Sequence, residues 1–172
     1  MQRRTLLAAA PATLVFGGLA AAPAQAAGRG VEGGGIGADG QDILNALARW
    51  SLGYDTRDVP LMRAAFTDDA SFTFHLPNGG PTLQFDGTAA VMKLFTDSLA
   101  AQHDVRRHVT TNALVERVDR GRATVTSYLT LIIIDAGALR VQATGIYRDR
   151  VVRGGDGVWR IEHRDLTLDI PS

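Results

Sequence analysis

Asp55 stands where a carboxylate is least favoured, at the end of a helix-spaced apolar stripe made by Ile43, Leu47, Trp50 and Tyr54. The dipole of such a helix is negative at its C-terminus. The side chain must therefore turn to water or meet a cation or hydrogen-bond donor. Four histidines are available: His75, His103, His108 and His163. His108 lies in a strand-like run from Arg107 to Val118 and shares a face with Thr110, Asn112 and Leu114. Neither face of that run is plainly apolar, so alternation alone leaves either one free to point inward. A carboxylate beside an imidazole moves protons near neutral pH, which is general acid–base chemistry.

The other polar candidates each carry two readings. Asn112 either holds a substrate oxygen or satisfies a neighbouring strand. Tyr128, on a face with Thr126, Thr130 and Ile132, either lines a cavity or packs in the core with its hydroxyl at the rim. His75 ends a strand beside a turn, at a pocket mouth or in a solvated loop. His163 alternates with Trp159 and Ile161, which suits a structural histidine, and His103 reads as surface. With no cysteine and no close histidine pair, no metal site is expected. No serine stands in a nucleophile elbow, and the early glycines lack the strand and Lys-Ser/Thr pair of a phosphate loop.

The elements that must position these residues are legible in outline. A helix is expected from Asp42 to Asp55. A second runs from Asp58, a capping residue with Pro60 behind it, to Phe66. Ala70 to His75 reads as a strand, Pro77 to Pro81 as a turn, and Thr88 to Gln102 as a third helix with Val91, Leu94, Phe95, Ser98 and Leu99 on one face. Arg107 to Val118, Ala123 to Ile134, Leu139 to Arg153 and Val158 to Ile170 follow as strands separated by hairpin signals at Asp119 to Arg122, Asp135 to Gly137 and Gly154 to Gly157. Three helices and then a four-stranded antiparallel meander make an α+β domain. Strands of that length must coil, and helices across the open side of a curled sheet enclose a pocket.

The chain has 172 residues, 45% of them hydrophobic, with 18 basic and 18 acidic residues scattered without runs. That is one domain with an ample core, and its charge excludes nucleic acid or an anionic membrane as a main partner. Residues 1–26 read as an export signal: Arg3-Arg4, an apolar run from Leu6 to Ala22, and Ala24-Gln25-Ala26 as the cleavage site. The paired arginines suggest the twin-arginine route, with a general secretory signal or an uncleaved anchor as alternatives. Cleavage after Ala26 gives a secreted or extracytoplasmic protein. Residues 27–40 then form a Gly-rich linker and residues 41–172 the domain.

Five pieces of the chain, in order and spacing, resemble the SnoaL-like branch of the nuclear transport factor 2-like superfamily. They are Tyr54-Asp55, Phe66 to Ala70, His108 to Asn112, Gly145-Ile146-Tyr147, and Gly157 to Arg164. The resemblance implies a cone-shaped fold in which a strongly curled, mostly antiparallel sheet and three N-terminal helices enclose a pocket. Nearest in motif is scytalone dehydratase, which removes water from a polyketide without metal or cofactor. Tyr54 and Asp55 match its helix-end pair, and His108 matches its first sheet histidine, which places His108 in the pocket. Its second sheet histidine has no counterpart in Ala143 to Tyr147. The expectation is a cofactor-independent dehydratase, cyclase or isomerase. Asp55 and His108 would be catalytic, and Tyr54, Asn112, Tyr128 and His75 would contact a small apolar oxygenated molecule. A non-catalytic binding domain and a homodimerising domain of the same fold are the alternatives.

Overall fold

A computed structural model describes residues 37–169, so the expected signal at 1–26 and most of the expected linker lie outside the described residues. Helix α1 covers Gly37–Asp55 and therefore begins inside the segment expected to be linker. Its first turn carries Asp39, an acid suited to a helix N-terminus, which accepts a hydrogen bond from Trp159 Nε1 at 3.2 Å. That bond ties the start of the helix to the last strand. The apolar stripe is buried as its spacing requires, with Ile43, Leu47, Trp50 and Tyr54 all in the core.

Helix α2, Val59–Ala64, is capped by Asp58, whose side chain accepts from Leu61 N at 2.9 Å, and Pro60 occupies its first turn. It is shorter than the sequence suggests. Phe66 already belongs to strand β1, Phe66–His75, because it pairs with Ile161 in the core. Asp68 and Asp69 occupy the stretch where β1 slips register, and both face water. Strand β2, Thr82–Asp86, follows the expected turn, in a stretch for which the sequence suggests no element. Helix α3 covers Thr88–Ala101, followed by β3 (Val105–Asp119), β4 (Arg122–Asp135), β5 (Ala138–Arg153) and β6 (Trp159–Leu168).

The six strands form one sheet in the order β2-β1-β6-β5-β4-β3. β3 to β6 make the expected antiparallel meander. β1 lies parallel to β6, so the sheet is mixed, and it is open, with β2 and β3 as edges. At the β3–β4 turn Arg120 and Gly121 have φ 49° and 75°, the left-handed pair that matches strand twist in a two-residue hairpin.

Two contacts position the helices. Arg57, itself left-handed at φ 60°, donates to the carbonyls of Leu99 and Gln102 at 3.0 and 2.8 Å. It thereby caps α3 and fixes that helix beside the end of α1. Gly53 lies so close to α2 that an added Cβ would meet Met62 N at 2.4 Å and Met62 Cα at 2.7 Å. Ordinary helix propensity favours Ala over Gly by about 1 kcal/mol. Here the close approach to backbone reverses the sign. Gly53→Ala is expected to lower the melting temperature, and a variant as stable as the parent would show that the two helices do not touch there.

Beneath the helices lies an ion pair. Arg164 Nε and Nη2 donate to Asp149 Oδ1 and Oδ2 at 2.7 and 2.9 Å, with side chains 1% and 0% exposed. The Arg164 guanidinium carbon sits 4.6 Å from the Trp50 ring centre and 4.3 Å from that of Tyr147. Its pKa shifts upward, because the opposing cost of burial is outweighed by Asp149. Asp149→Ala leaves a buried cation unpaired and is expected to cost about 3–5 kcal/mol in urea unfolding. The double variant Asp149→Leu/Arg164→Met should cost less than Asp149→Ala alone. Equal or greater loss in the double variant would mean that the pair contributes net stability.

Candidate functional site

The site is built where the end of α1 meets the edge strand β3. Asp55 Oδ1 takes a hydrogen bond from His108 Nδ1 at 2.6 Å, and Asp55 Oδ2 takes one from the main-chain N–H of His108 at 2.9 Å. The carboxylate, 8% exposed, thus meets two donors on one residue, which answers the helix-dipole problem of its position. The imidazole is 9% exposed and wedged between two rings: Trp50 at 4.9 Å and 72°, Tyr54 at 4.9 Å and 73°. Both rings meet it edge to face, an arrangement that fixes the imidazole plane.

His108 opens onto a cavity of about 250 Å³ between the helices and the inner face of the sheet. Its walls are mostly hydrocarbon: Phe72, Phe74 and Phe85 from β1 and β2, Leu94 and Phe95 from α3, and Leu129, Leu131, Ala143 and Leu168 from the meander. The polar exceptions are His108, Tyr54, Ser98 and Tyr147, with Trp50 at their centre. Tyr54 Oη and Ser98 Oγ are 2.6 Å apart and share one hydrogen. The other hydroxyl hydrogen remains free to meet a ligand. An apolar chamber with a few convergent polar groups is the usual form of a small-molecule site.

Asp55, His108 and Tyr54 are therefore brought together, with Asp55 behind the imidazole rather than on the cavity wall. Three other expected contacts fall elsewhere. Asn112 is exposed at φ 52°, where β3 slips register between Thr111 and Leu114, and this turns it away from the cavity. Tyr128 is 50% exposed on the opposite face of β4, because Leu129 takes the inward position. His75 also lies on the outer face, bonded to Asp165 at 2.8 Å and Thr82 at 3.0 Å, while its neighbour Phe74 points into the cavity. His163 is structural: Ser71 Oγ lies 2.7 Å from its Nδ1, and burial, aided by Arg150, lowers its pKa. His103 is exposed.

Ser98 and Tyr147 were not among the expected site residues. A hydroxyl inside the apolar stripe of α3 was the available signal for Ser98. For Tyr147 the signal was its central place in a long strand next to a small-residue run. Among the described residues no three His, Asp or Glu side chains gather into a group that could hold a metal ion. A second depression, bordered by the charged side chains of Arg122, Arg150 and Glu162, lies at the far end of the meander from His108.

Comparison with known proteins agrees with the fold. A family model described as a SnoaL-like domain matches residues 38–165. No curated protein matches the chain. Among solved structures, a protein of unknown function from Mycobacterium tuberculosis is 29% identical with a TM-score of 0.64, covering 76% of each chain. A scytalone dehydratase-like protein of Novosphingobium aromaticivorans is 20% identical with a TM-score of 0.66, covering 78% of this chain and 86% of its own. A protein of Catenulispora acidiphila, solved in complex with S-DNPA, is 20% identical with a TM-score of 0.64, covering 76% and 93%. At these identities the last two speak for fold alone. The family model covers most of the sequence, and on that match the chain belongs to the SnoaL-like domain family.

Proposed function

We propose that this protein is a cofactor-independent lyase or isomerase acting on a small, largely apolar oxygenated molecule such as a polyketide, terpenoid or steroid. The observation that carries the reading is the pair of hydrogen bonds that His108 donates to Asp55 at the wall of a hydrocarbon-lined cavity. Donation of the Nδ1 proton to Asp55 selects the tautomer whose Nε2 lone pair is free to accept a proton. Nε2 takes a proton from a carbon next to a carbonyl; the C–H electron pair forms the C=C bond of an enolate and the carbonyl π pair moves onto the oxygen. Returning that proton to a different carbon isomerises the substrate. Delivering it to a β-hydroxyl as the C–O bond breaks releases water. The Tyr54–Ser98 pair is suited to hold that hydroxyl.

The fold is shared with a scytalone dehydratase-like protein and with one solved in complex with S-DNPA, which supports a small-molecule site rather than a particular reaction. A second reading, a binding module that turns nothing over, is favoured by one observation. The stretch Ala143 to Tyr147 brings no second histidine to the cavity, and Ala143 itself lines it. We further propose that the protein works outside the cytoplasm, on the strength of Arg3-Arg4 and Ala24-Gln25-Ala26. N-terminal sequencing of exported material should begin at or near Ala27, and an intact Met1 throughout would refute cleavage.

A base in an apolar pocket can be tested without knowing the natural substrate. In D2O, 1-tetralone should exchange its C2 protons faster with the protein than with the His108→Ala variant, by about 10²-fold or more. No difference between the two would remove the base and leave the binding module. Asp55→Asn keeps an acceptor for the His108 main-chain N–H but offers the imidazole an N–H donor, which should move the ring proton from Nδ1 to Nε2. Long-range ¹H–¹⁵N correlation spectra read that tautomer directly, and an unchanged pattern would mean that Asp55 does not set it.

A further inference from the structure

Tyr147 is fixed by ring and cation contacts, yet among the described residues no hydrogen bond of its hydroxyl is found. The side chain points inward from the middle of β5, between Ser127 of β4 and Leu166 of β6. The whole residue is 1% exposed and lines the cavity. Its ring meets Trp50 edge-on at 5.9 Å and 75°, and the Arg164 guanidinium lies 4.3 Å from its centre. Arg164 is in turn fixed by its two bonds to Asp149. Ring position is thus set from two sides. Among the described residues, the sealed polar atoms without a partner are Trp50 Nε1, Thr67 Oγ1, Gln102 Oε1, Ser127 Oγ and Arg164 Nη1. The Tyr147 hydroxyl is not one of them, although no hydrogen bond from it is found. The residue borders open space at the cavity.

A buried hydroxyl without a partner is costly unless a ligand or a water completes it. We propose that the Tyr147 hydroxyl donates a hydrogen bond to the carbonyl oxygen of the substrate, beside the proton that His108 removes. Both rings flank Trp50: His108 at 4.9 Å and Tyr147 at 5.9 Å, each edge to face. A molecule lying against Trp50 can therefore reach both. As the C–H bond breaks at His108 Nε2, charge grows on the carbonyl oxygen, and a fixed donor in a water-poor site stabilises that charge most effectively. Burial holds the phenol well above its ordinary pKa, and the smaller opposing pull of Arg164 does not reverse this. Tyr147 is consequently a neutral donor throughout the physiological range. The substrate class narrows accordingly to ketones and related carbonyl compounds with an acidic neighbouring C–H.

This inference rests on the general-base reading, and its test separates the two. The probes are 1-tetralone and its hydrocarbon counterpart tetralin, with dissociation constants for the parent protein, Tyr147→Phe and His108→Ala. The parent should prefer the ketone by about three- to tenfold, the increment of one hydrogen bond. In Tyr147→Phe that preference should fall to about unity, with tetralin affinity and melting temperature unchanged, since no protein bond is lost. His108→Ala should keep the preference and lose the C2 proton exchange. Retention of the ketone preference in Tyr147→Phe, or a drop in its melting temperature, overturns the assignment of Tyr147 while leaving His108 as base. Binding of neither probe to the parent protein overturns both.

Discussion

A single carboxylate joins the helical layer to the far edge of the sheet. Asp55 ends α1, and its two oxygens are both taken by one residue of β3. The main-chain bond holds the strand against the helix terminus, and the side-chain bond orients the imidazole. Neither function is separable from the other, because the same group performs both within one residue. This junction helps keep α1 over the inner face of the meander, and Arg57 keeps α3 beside it, so the cavity lies between them. A charged group at an electrostatically unfavourable position is thereby converted into the fixed point of the site.

A second charged pair lies under the cavity floor, and its energetics differ. Arg164 and Asp149 are completely removed from water, so their attraction must first offset a large desolvation cost. One guanidinium nitrogen, Nη1, still has no partner. Such a pair is a weak source of net stability, but it strongly penalises any arrangement that separates its members. Its position against Trp50 and Tyr147 restricts the two rings that border the cavity most deeply. Rigidity of the floor, rather than stability of the fold, is the consequence of that arrangement.

Much of this architecture was legible in the sequence, for identifiable reasons. Long amphipathic or alternating segments announced α1, α3 and the meander, and the Arg120-Gly121 and Ala136-Gly137 pairs announced two hairpins. β2 was missed because it is a five-residue edge strand with almost no buried side chain. The parallel pairing of β1 with β6 leaves no local signal, since the partners are some ninety residues apart. The Asp55–His108 contact could be expected from the helix end together with family resemblance, but strand parity failed for two neighbours. In β4 the run Leu131 to Ile134 is apolar at every position, so it conceals which parity faces inward, and Tyr128 proved to be outside. In β3 the register slip at Asn112 interrupts the alternation on which its assignment depended. Periodicity identifies elements, while irregular positions decide faces.

The same irregular strand has a bearing on how this protein behaves in crowded company. β3 is a fifteen-residue edge, long enough to recruit a strand from another molecule and begin a fibril. Two register slips, between Thr111 and Leu114 and between Val115 and Arg117, interrupt its ladder, and Asp55 already occupies the His108 N–H. A visiting chain would find no uninterrupted row of donors and acceptors to copy. The opposite edge, β2, is only five residues long. Both borders of the sheet are thus poor templates for strand addition, even though Leu139 is exposed on its surface.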